Sequence, residues 1–543
     1  MSDAPTADRG VGGTAEARYR QLEPQRNIYL NRARECAKFT MPHLIRQHEG
    51  ATQSDDIKTP WQALGARGVK NIAAKMLLLL LPPNDPFFKL QPDSMVLDQL
   101  PPGEDGKQQK TEMEKALGKI ERSVQEDIEA SSDRVVVDEA LKHLVVAGNG
   151  LLHDTEYGLR FYHLDRYVCV RDPEGNVIET VSLEMVSPSA LDQETLDAIS
   201  QTQQYKDAFS KDRDSVERSL HIFTHVKLEG NMWTEYQECF GIKIPGSEAT
   251  YPQDKCPWIV LRWSHLDGED YGRSYVEEIL GDLKSLETLW QAVVEGSVAS
   301  ARVLGLVHPN GTTSVKTLNE AKNGDFVEGT ADDVDFLQLE KFADFQVAYK
   351  AIESLTERLS FAFMLNTAIQ RNAERVTAEE IRYMAGELED ALGGAYAILS
   401  QEFQLPYVRA RMARLQRAGR IPALPEKLVR PTIVTGLEAL GRGHDRNKLM
   451  QFISDITNTV GPEIAVQVLN VAELIDRLGI SEGVNTDGLI KTPEQIAAEK
   501  QQTQMQQMMQ MFGPEALKQM GGLAQAGIKQ GGAGAAPQPG GTE

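Results

Sequence analysis

Between His265 and Gly394 the apolar positions fall into three helical stripes, broken once by a loop-and-strand insertion and once by a polar loop. The first stripe starts at Ser274. Val276, Ile279, Leu283, Leu286, Trp290 and Val293 recur at alternating spacings of three and four, the period that keeps one helix face against a partner. Ser274 with Glu277 predicts a capping box, each side chain closing an amide left unpaired at the helix start. Gly296, Ser297, Ala299, Ser300 and Ala301 are small enough to let a neighbouring backbone come close. A second helix, starting near Phe345, repeats the stripe at Ala348, Ile352, Leu355, Leu359 and Ala362 and turns Lys350, Glu353, Glu357 and Arg358 outward. Two readings fit: a subunit that lends long helices to a ring or bundle, or a helix pair packed on the core of its own domain. The third helix is predicted from Thr377, with Thr377 and Glu380 as a second capping box. It contains Gly393-Gly394 and Pro406, and Pro406 removes a backbone donor and crowds the preceding turn, so a kink is expected. Arg409, Arg411, Arg414 and Arg417 line its end.

Upstream, residues 14–150 read as helical, with periodic helices at Trp61–Leu81 and Val135–Val146 and a charged one at about Lys110–Ala130. After Gly148 the pattern changes to short β-rich runs at Phe161–Leu164, Val168–Val170 and Val177–Val181, with a turn at Asp172–Asn176. A hairpin follows at Leu220–Leu228 and Met232–Tyr236 across Glu229-Gly230-Asn231, then a strand at Trp258–Trp263. An α+β body thus precedes the helical section. Residues 305–343 form the insertion, with Gly311, Gly324 and Gly329, strand-like runs at Phe326-Val327 and Phe336-Leu337, and the acidic patch Asp332, Asp333 and Asp335. Beyond Pro431 come a helical cluster (Asp445–Leu478), a Gln/Met-rich helix (Pro493–Phe512) and a Gly/Ala/Pro/Gln tail expected to be disordered.

A length of 543 residues suggests three to four domain-sized units, and 41% hydrophobic residues supply a core. The net charge of −22 argues against a protein that wraps nucleic acid by neutralising phosphates, and suits one past which a polyanion slides without sticking. Cys36, Cys169, Cys239 and Cys256 lie far apart with no metal spacing, as expected for a chain from a reducing cytoplasm. The N-terminal MSDAPTADRGVGG is polar and shows no secretory signal, and the run Met76–Leu81 is too short for a bilayer, so a soluble protein without a membrane segment is expected. There is no GxxxxGK[ST], HExxH or GxSxG. The acidic patch at 332–335 lacks further ligands and reads as a solvated loop. His143, His163, His221, His225 and His265 read as structural residues in helix or strand contexts. No enzyme, metal or cofactor is expected.

Several long segments carry a resemblance: TPWQALGARGVKNIAAKMLL (59–78), EALKHLVVAGNGLL (139–152), LDGEDYGRSYVEEILGDLKSLE (266–287), LQLEKFADF (337–345), LSFAFMLNTAIQRNAERVTAEEIRYMAGELEDALGGAYAILSQEFQLP (359–406) and PTIVTGLEALGRG (431–443). Over about residues 15–480 the chain resembles the portal proteins, or head-to-tail connectors, of short-tailed, podovirus-type bacteriophages. The resemblance implies an α+β, mainly helical portal fold that builds a twelve-fold ring around a central channel at one vertex of an icosahedral head. It implies a disordered N-terminus (1–14), a wing (15–273), a first stem helix (274–304), a clip (305–343) and a second stem helix (344–365). A tunnel loop (366–376), a kinked wing helix (377–430), a crown (431–490), a C-terminal helix or barrel (491–512) and a disordered tail (513–543) would follow.

In that frame the seam residues Val276, Ile279, Leu283, Leu286, Trp290, Val293, Ile352, Leu355 and Leu359 pack the stem, within a subunit and against the next. Asn310, Lys316, Asp332, Asp333 and Asp335 are the clip residues for docking terminase and then a tail adaptor, and Gln370, Arg371, Asn372, Glu374 and Arg375 of the tunnel loop face double-stranded DNA without reading its sequence. The other implied partners are scaffold, major capsid and internal core proteins, at the portal vertex of a virion whose parts are made in the host cytoplasm. Two rivals stand beside this reading: an internal scaffold or helical assembly protein with no DNA channel, and a metal-dependent hydrolase built on the acidic insertion.

Overall fold

The change of period after Gly148 is a change from helix to strand in the structure, a computed structural model that describes residues 13–46, 57–83, 87–91, 104–203, 205–206, 219–300, 304–337, 342–365, 394–422, 432–434 and 442–461, with isolated positions at 392, 469 and 474. Four helices come first: α1 (Ala15–Lys38), α2 (Leu64–Leu80), α3 (Glu104–Ala130) and α4 (Asp133–Ala147). The helix predicted from Trp61 starts three residues later, because the amides of Trp61 and Gln62 donate to the Glu287 carboxylate at 2.8 and 3.3 Å instead of entering a turn. The apolar run ending at Leu81 is a buried helix end, and among the described residues no helix is long and apolar enough to cross a membrane. Helix α4 closes on Gly148 (φ 74°), whose N–H reaches Leu144 O at 2.9 Å. A side chain there is doubly excluded: a Cβ would stand 2.7 Å from Ser274 N.

Strand β1 (Lys89–Gln91) lies before α3, and the remaining body strands follow α4: β2 (Asn149–Thr155), β3 (Gly158–Tyr162), β4 (Tyr167–Arg171), β5 (Val177–Val186), β6 (Leu220–Glu229), β7 (Met232–Cys239), β8 (Ile242–Lys243), β9 (Ala249–Pro252) and β10 (Trp258–Arg262). They make two antiparallel sheets, β10-β2-β3 and β4-β5-β6-β7-β8, with β9 joined to β7. The β6–β7 hairpin is the predicted one, with Glu229 opposite Met232. A short helix, α5 (Gln193–Ser200), follows β5 and is capped by Asp192.

Helix α1 lies on the larger sheet. Tyr19 packs on Phe223 at 5.4 Å, Glu238 of β7 accepts from Ala15 N at 2.8 Å, and Arg18 pairs with Glu179 at 2.6 Å. Burial alone would raise the Glu179 carboxyl, but the His225 ring (2.8 Å) and Arg18 hold it down at about 2. A carboxylate held below its ordinary value of 4.5 stabilises the fold above that pH, and the contribution is lost as pH falls towards about 2. Glu179→Gln should therefore cost about 2 kcal/mol near neutral pH and progressively less in acid. Urea unfolding followed by tryptophan fluorescence between pH 7 and pH 3 checks this; parallel pH dependences for the two proteins would refute it.

The chain then runs α6 (Tyr275–Ser300), β11 (Leu304–Val307), α7 (Val315–Glu320), β12 (Val334–Leu337), α8 (Phe342–Ala362), α9 (Ala395–Leu399), a π turn (Ser400–Gln404), α10 (Leu405–Arg417) and β13 (Thr432–Val434), which pairs with β1. One continuous apolar core joins α2, α4, β2 and β10 to the inner faces of α6, α8, α9 and α10. The architecture is α+β and mainly helical. Residues 1–441 make one unit, and residues 442–543 a second, in which α11 (Arg442–Val460) is described and ends at Gly461. The Gln/Met-rich segment 493–512 and the tail lie outside the described residues.

Candidate functional site

Helices α6 and α8 form an antiparallel hairpin. Arg358 pairs with Asp282 at 2.5 Å, and Gly296 lies under the Phe345 ring so closely that a Cβ would stand 2.8 Å from it. Gly296 thus admits an aromatic ring of the same chain, where a neighbouring backbone was expected. The predicted seam faces inward: Val276, Leu283, Leu286, Val293, Ile352 and Leu359 are buried, and Ile279, Trp290 and Leu355 are half-buried against them. Six buried aliphatic side chains contribute on the order of 10 kcal/mol, whereas an exposed ion pair such as Arg358–Asp282 adds at most about 1 kcal/mol. The seam therefore holds the hairpin. Ser274 Oγ accepts from Glu277 N at 3.1 Å, but Glu277 turns to Arg273 at 3.1 Å, so only half of the expected capping box forms. A charge-assisted bond outcompetes the neutral one.

The foot of the hairpin is clamped. Phe363 is fully buried with its ring over Gly68, where a Cβ would stand 2.1 Å from ring carbon Cγ. Asn71 Nδ2 donates to Phe363 O and Met364 O at 2.9 and 3.0 Å, Lys75 Nζ to Met364 O at 3.2 Å, and Tyr275 Oη to Ala362 O at 2.7 Å. Met364 takes a positive φ of 54°, which breaks the helix. The predicted DNA-facing residues Gln370, Arg371, Asn372, Glu374 and Arg375, and the capping pair Thr377 and Glu380, follow this clamp and lie outside the described residues.

The far end of the hairpin carries the insertion. Strands β11 and β12 pair antiparallel, Leu304 opposite Leu337 and Val307 opposite Val334. Asp333 organises the loop between them: its carboxylate accepts from Thr312 N at 2.9 Å, Thr313 N at 3.2 Å and Thr313 Oγ1 at 3.0 Å, and these bonds hold its carboxyl below the usual range. Of the five predicted docking residues, Asn310, Lys316, Asp332 and Asp335 are exposed; Asp333, whose Oδ2 is spent on the loop, is a brace. The carboxylates at 332–335 do not converge, and among the described residues no group of three or more His, Cys, Asp or Glu could hold a metal. Phe326-Val327, read as strand-like, is loop following the Gly324 turn (φ 98°), and Phe326 is fully exposed. An aromatic residue between Asp325 and Glu328, inside a Gly-bounded run too short to pair, was the overlooked signal.

Behind the hairpin, the expected kinked helix is three pieces. Gly394 (φ 90°) starts α9, the π turn follows, and Pro406 sits at the second position of α10, where its missing N–H costs little. Glu402 of the π turn grips Arg262 at 2.6 Å and Arg171 at 3.4 Å. Arg411, from the predicted arginine row, is fully buried. It bonds Asp133, Asp127 (3.1 Å) and Asp154 (3.3 Å), while Arg414 pairs with Asp127 at 2.7 Å and Asp154 at 3.2 Å. Desolvation pulls the Arg411 guanidinium down to about 10, which leaves it charged at neutral pH. Two histidines also have carboxylate partners that spacing did not reveal: His163 meets Asp165 and His225 meets Glu179, both at 2.8 Å. His265 lies in a loop, not in a helix or strand.

The family model described as "Bacteriophage head to tail connecting protein" matches residues 13–490. The portal protein of Enterobacteria phage T3 is 43% identical over 505 residues, 92% of this chain and 92% of that protein. The portal protein of Escherichia phage T7 is 43% identical over 505 residues, 92% of this chain and 91% of that protein. Among solved structures, the neck of an empty GTA particle is a remote likeness, with a TM-score of 0.34 and 11% identity over 77% of this chain and 90% of that one. The scaffold reading gives way to these matches, which run through the α+β body as well as the helices. A chain that aligns over 92% of its length with two phage portal proteins, and carries an α+β body and a two-helix hairpin with a strand-paired insertion, belongs to the bacteriophage head-to-tail connecting proteins, the portal family.

Proposed function

We propose that twelve copies of this chain close into a ring at one vertex of a phage head, forming the channel through which double-stranded DNA enters and leaves. The observation that carries this reading is the match to portal proteins, at 43% identity over 92% of the chain. The hairpin is then the stem. The β11–β12 tip is the clip, which docks the packaging terminase and later the tail adaptor through the exposed Asn310, Lys316, Asp332 and Asp335. Phe326, fully exposed beside them, adds an apolar anchor. Scaffold, capsid and internal core proteins are the further partners on the head side, and assembly takes place in the host cytoplasm. The chain acts as a structural part, not as a catalyst.

DNA must slide both ways, so the channel wall should not grip phosphates, because each neutralised phosphate adds affinity and therefore friction. A chain of net charge −22 suits that need, with Arg371 and Arg375 as sparse cations following the clamped foot. Light scattering and negative-stain images test the ring: twelve copies of a 60.2 kDa chain give about 0.7 MDa with a central hole. A monomer in the presence of scaffold would count against it. Replacing both Arg371 and Arg375 by Ala is expected to leave rings intact and lower the DNA retained in filled heads. Unchanged DNA content would remove the two arginines from the channel.

A further inference from the structure

The hairpin is covered on its inner side and bare on two others. On α8, Val347 and Phe361 are 71% and 80% exposed and lie two heptads apart, on one line pointing away from the seam. On α6, Gly281, Ser285, Thr288 and Ala292 are exposed at spacings of four, three and four, opposite the seam of that helix. Nothing lies within 4 Å of a Cβ built on Gly281. Ser285 Oγ and Thr288 Oγ1 donate to carbonyls of their own helix at 2.9 Å, so the furrow offers methyl and methylene surface.

Ridge and furrow also match in level. The pairs Asp282–Arg358 and Gly296–Phe345 set the hairpin register, which puts Phe361 level with residues 279–280 and Val347 level with residues 293–294. The ridge therefore spans the same stretch as the furrow. Lys350 flanks the ridge and the exposed Glu278 and Glu295 flank the furrow, while Glu357 lies beside the ridge and Arg358 is held by Asp282 of its own chain. Two unlike, complementary faces on one chain make a head-to-tail contact, and such a contact closes into a ring when its rotation allows.

Resting on the ring reading, we propose that the Val347–Phe361 ridge of one subunit seats in the Gly281–Ala292 furrow of the next. Truncating a buried phenyl group weakens each contact about 10- to 100-fold. Because Phe361 is free within its own chain, Phe361→Ser should lower ring yield while leaving the unfolding midpoint of the chain unchanged. Gly281→Trp, which fills the furrow from the other side, should do the same.

Cysteine pairs decide the contact directly. The full-length chain carrying Phe361→Cys is combined in turn with Gly281→Cys, Ser285→Cys, Thr288→Cys or Ala292→Cys, assembled, oxidised and run on denaturing gels without reductant. A ladder of cross-linked multimers from at least one pair, absent from each single variant, is the expected result. Rings that form without any ladder, or a ladder from Phe361→Cys alone, would overturn the proposed contact and leave the ring standing. A parent chain that forms no ring even with scaffold would overturn the ring reading itself.

Discussion

Replacing Arg411 by Met is expected to destabilise the chain by about 3–5 kcal/mol, among the largest losses any single surface-silent substitution in this fold should produce. Arg411 is buried at the meeting of α3, α4, β2 and α10, where Asp127, Asp133 and Asp154 converge on it. Tyr407 Oη also donates to Asp133 at 2.6 Å, and the guanidinium stands 5.2 Å above the Tyr407 ring. Removing the cation leaves Asp133 with only neutral donors, Tyr407 and Leu159 N, and Asp154 with Arg414 alone. Both carboxylates then sit in low dielectric with too little compensation, and each favours its protonated form. The sign of the pH dependence follows. Burial already pushes the Asp154 carboxyl up to about 6; in the variant it rises further and Asp133 rises with it, so the deficit is full near neutral pH and shrinks as pH falls and they take up protons. Replacing Arg411, Asp133 and Asp154 together by apolar residues should cost far less than the separate losses combined, because no charge is left stranded. Thermal unfolding of the three proteins near neutral pH and in mild acid checks both statements. A single-site loss under 1 kcal/mol, or one that grows in acid, would contradict them.

This cluster also marks where the sequence stops being legible. Spacings of three and four placed the seams of α6 and α8, and the stop at Gly148 placed α4 and the strand after it, because periodicity and caps are local signals. Which helix a seam packs against, and which carboxylates an arginine meets, depends on contacts between residues far apart in the chain. Arg411 lies 278 positions from Asp133, and nothing in the row Arg409, Arg411, Arg414, Arg417 distinguishes the buried member from its neighbours. The same limit applies at the β11–β12 insertion. The triplet Asp332, Asp333, Asp335 reads as one acidic patch, yet one member turns inward because Thr312 and Thr313 offer it amides and a hydroxyl across the loop. Phe326 failed in the opposite sense: its composition suggested a strand, but no second strand lies alongside to pair with it. For the tunnel loop, the residue types Gln370, Arg371, Asn372, Glu374 and Arg375 remain the basis of the proposal.

Enlarging Gly68 is expected to unseat the foot of the α6–α8 hairpin. The Phe363 ring lies flat on this glycine, and a Cβ would stand 2.1, 2.3 and 2.5 Å from three of its carbons, far inside van der Waals contact. The ring has little room to yield, since it is fully buried and packs edge-on to Tyr275 at 6.4 Å. Gly68→Val therefore forces a choice between straining α2 against α8 and expelling the ring. Strain from overpacking costs about 1–3 kcal/mol, and expelling a buried Phe costs about 3–5 kcal/mol. The helix gains back only about 0.5 kcal/mol of propensity on going from Gly to Val, so by the cheaper, strained route the substitution is net destabilising by roughly 1–2 kcal/mol. Expulsion would also break the bonds from Asn71 and Lys75 that hold Phe363 and Met364 at the end of α8. Pairing Gly68→Val with Phe363→Ala should recover much of the loss, because the smaller side chain leaves room for the larger one. A double variant no more stable than the sum of its single variants predicts, measured by urea unfolding, would show that the two side chains do not compete for this space.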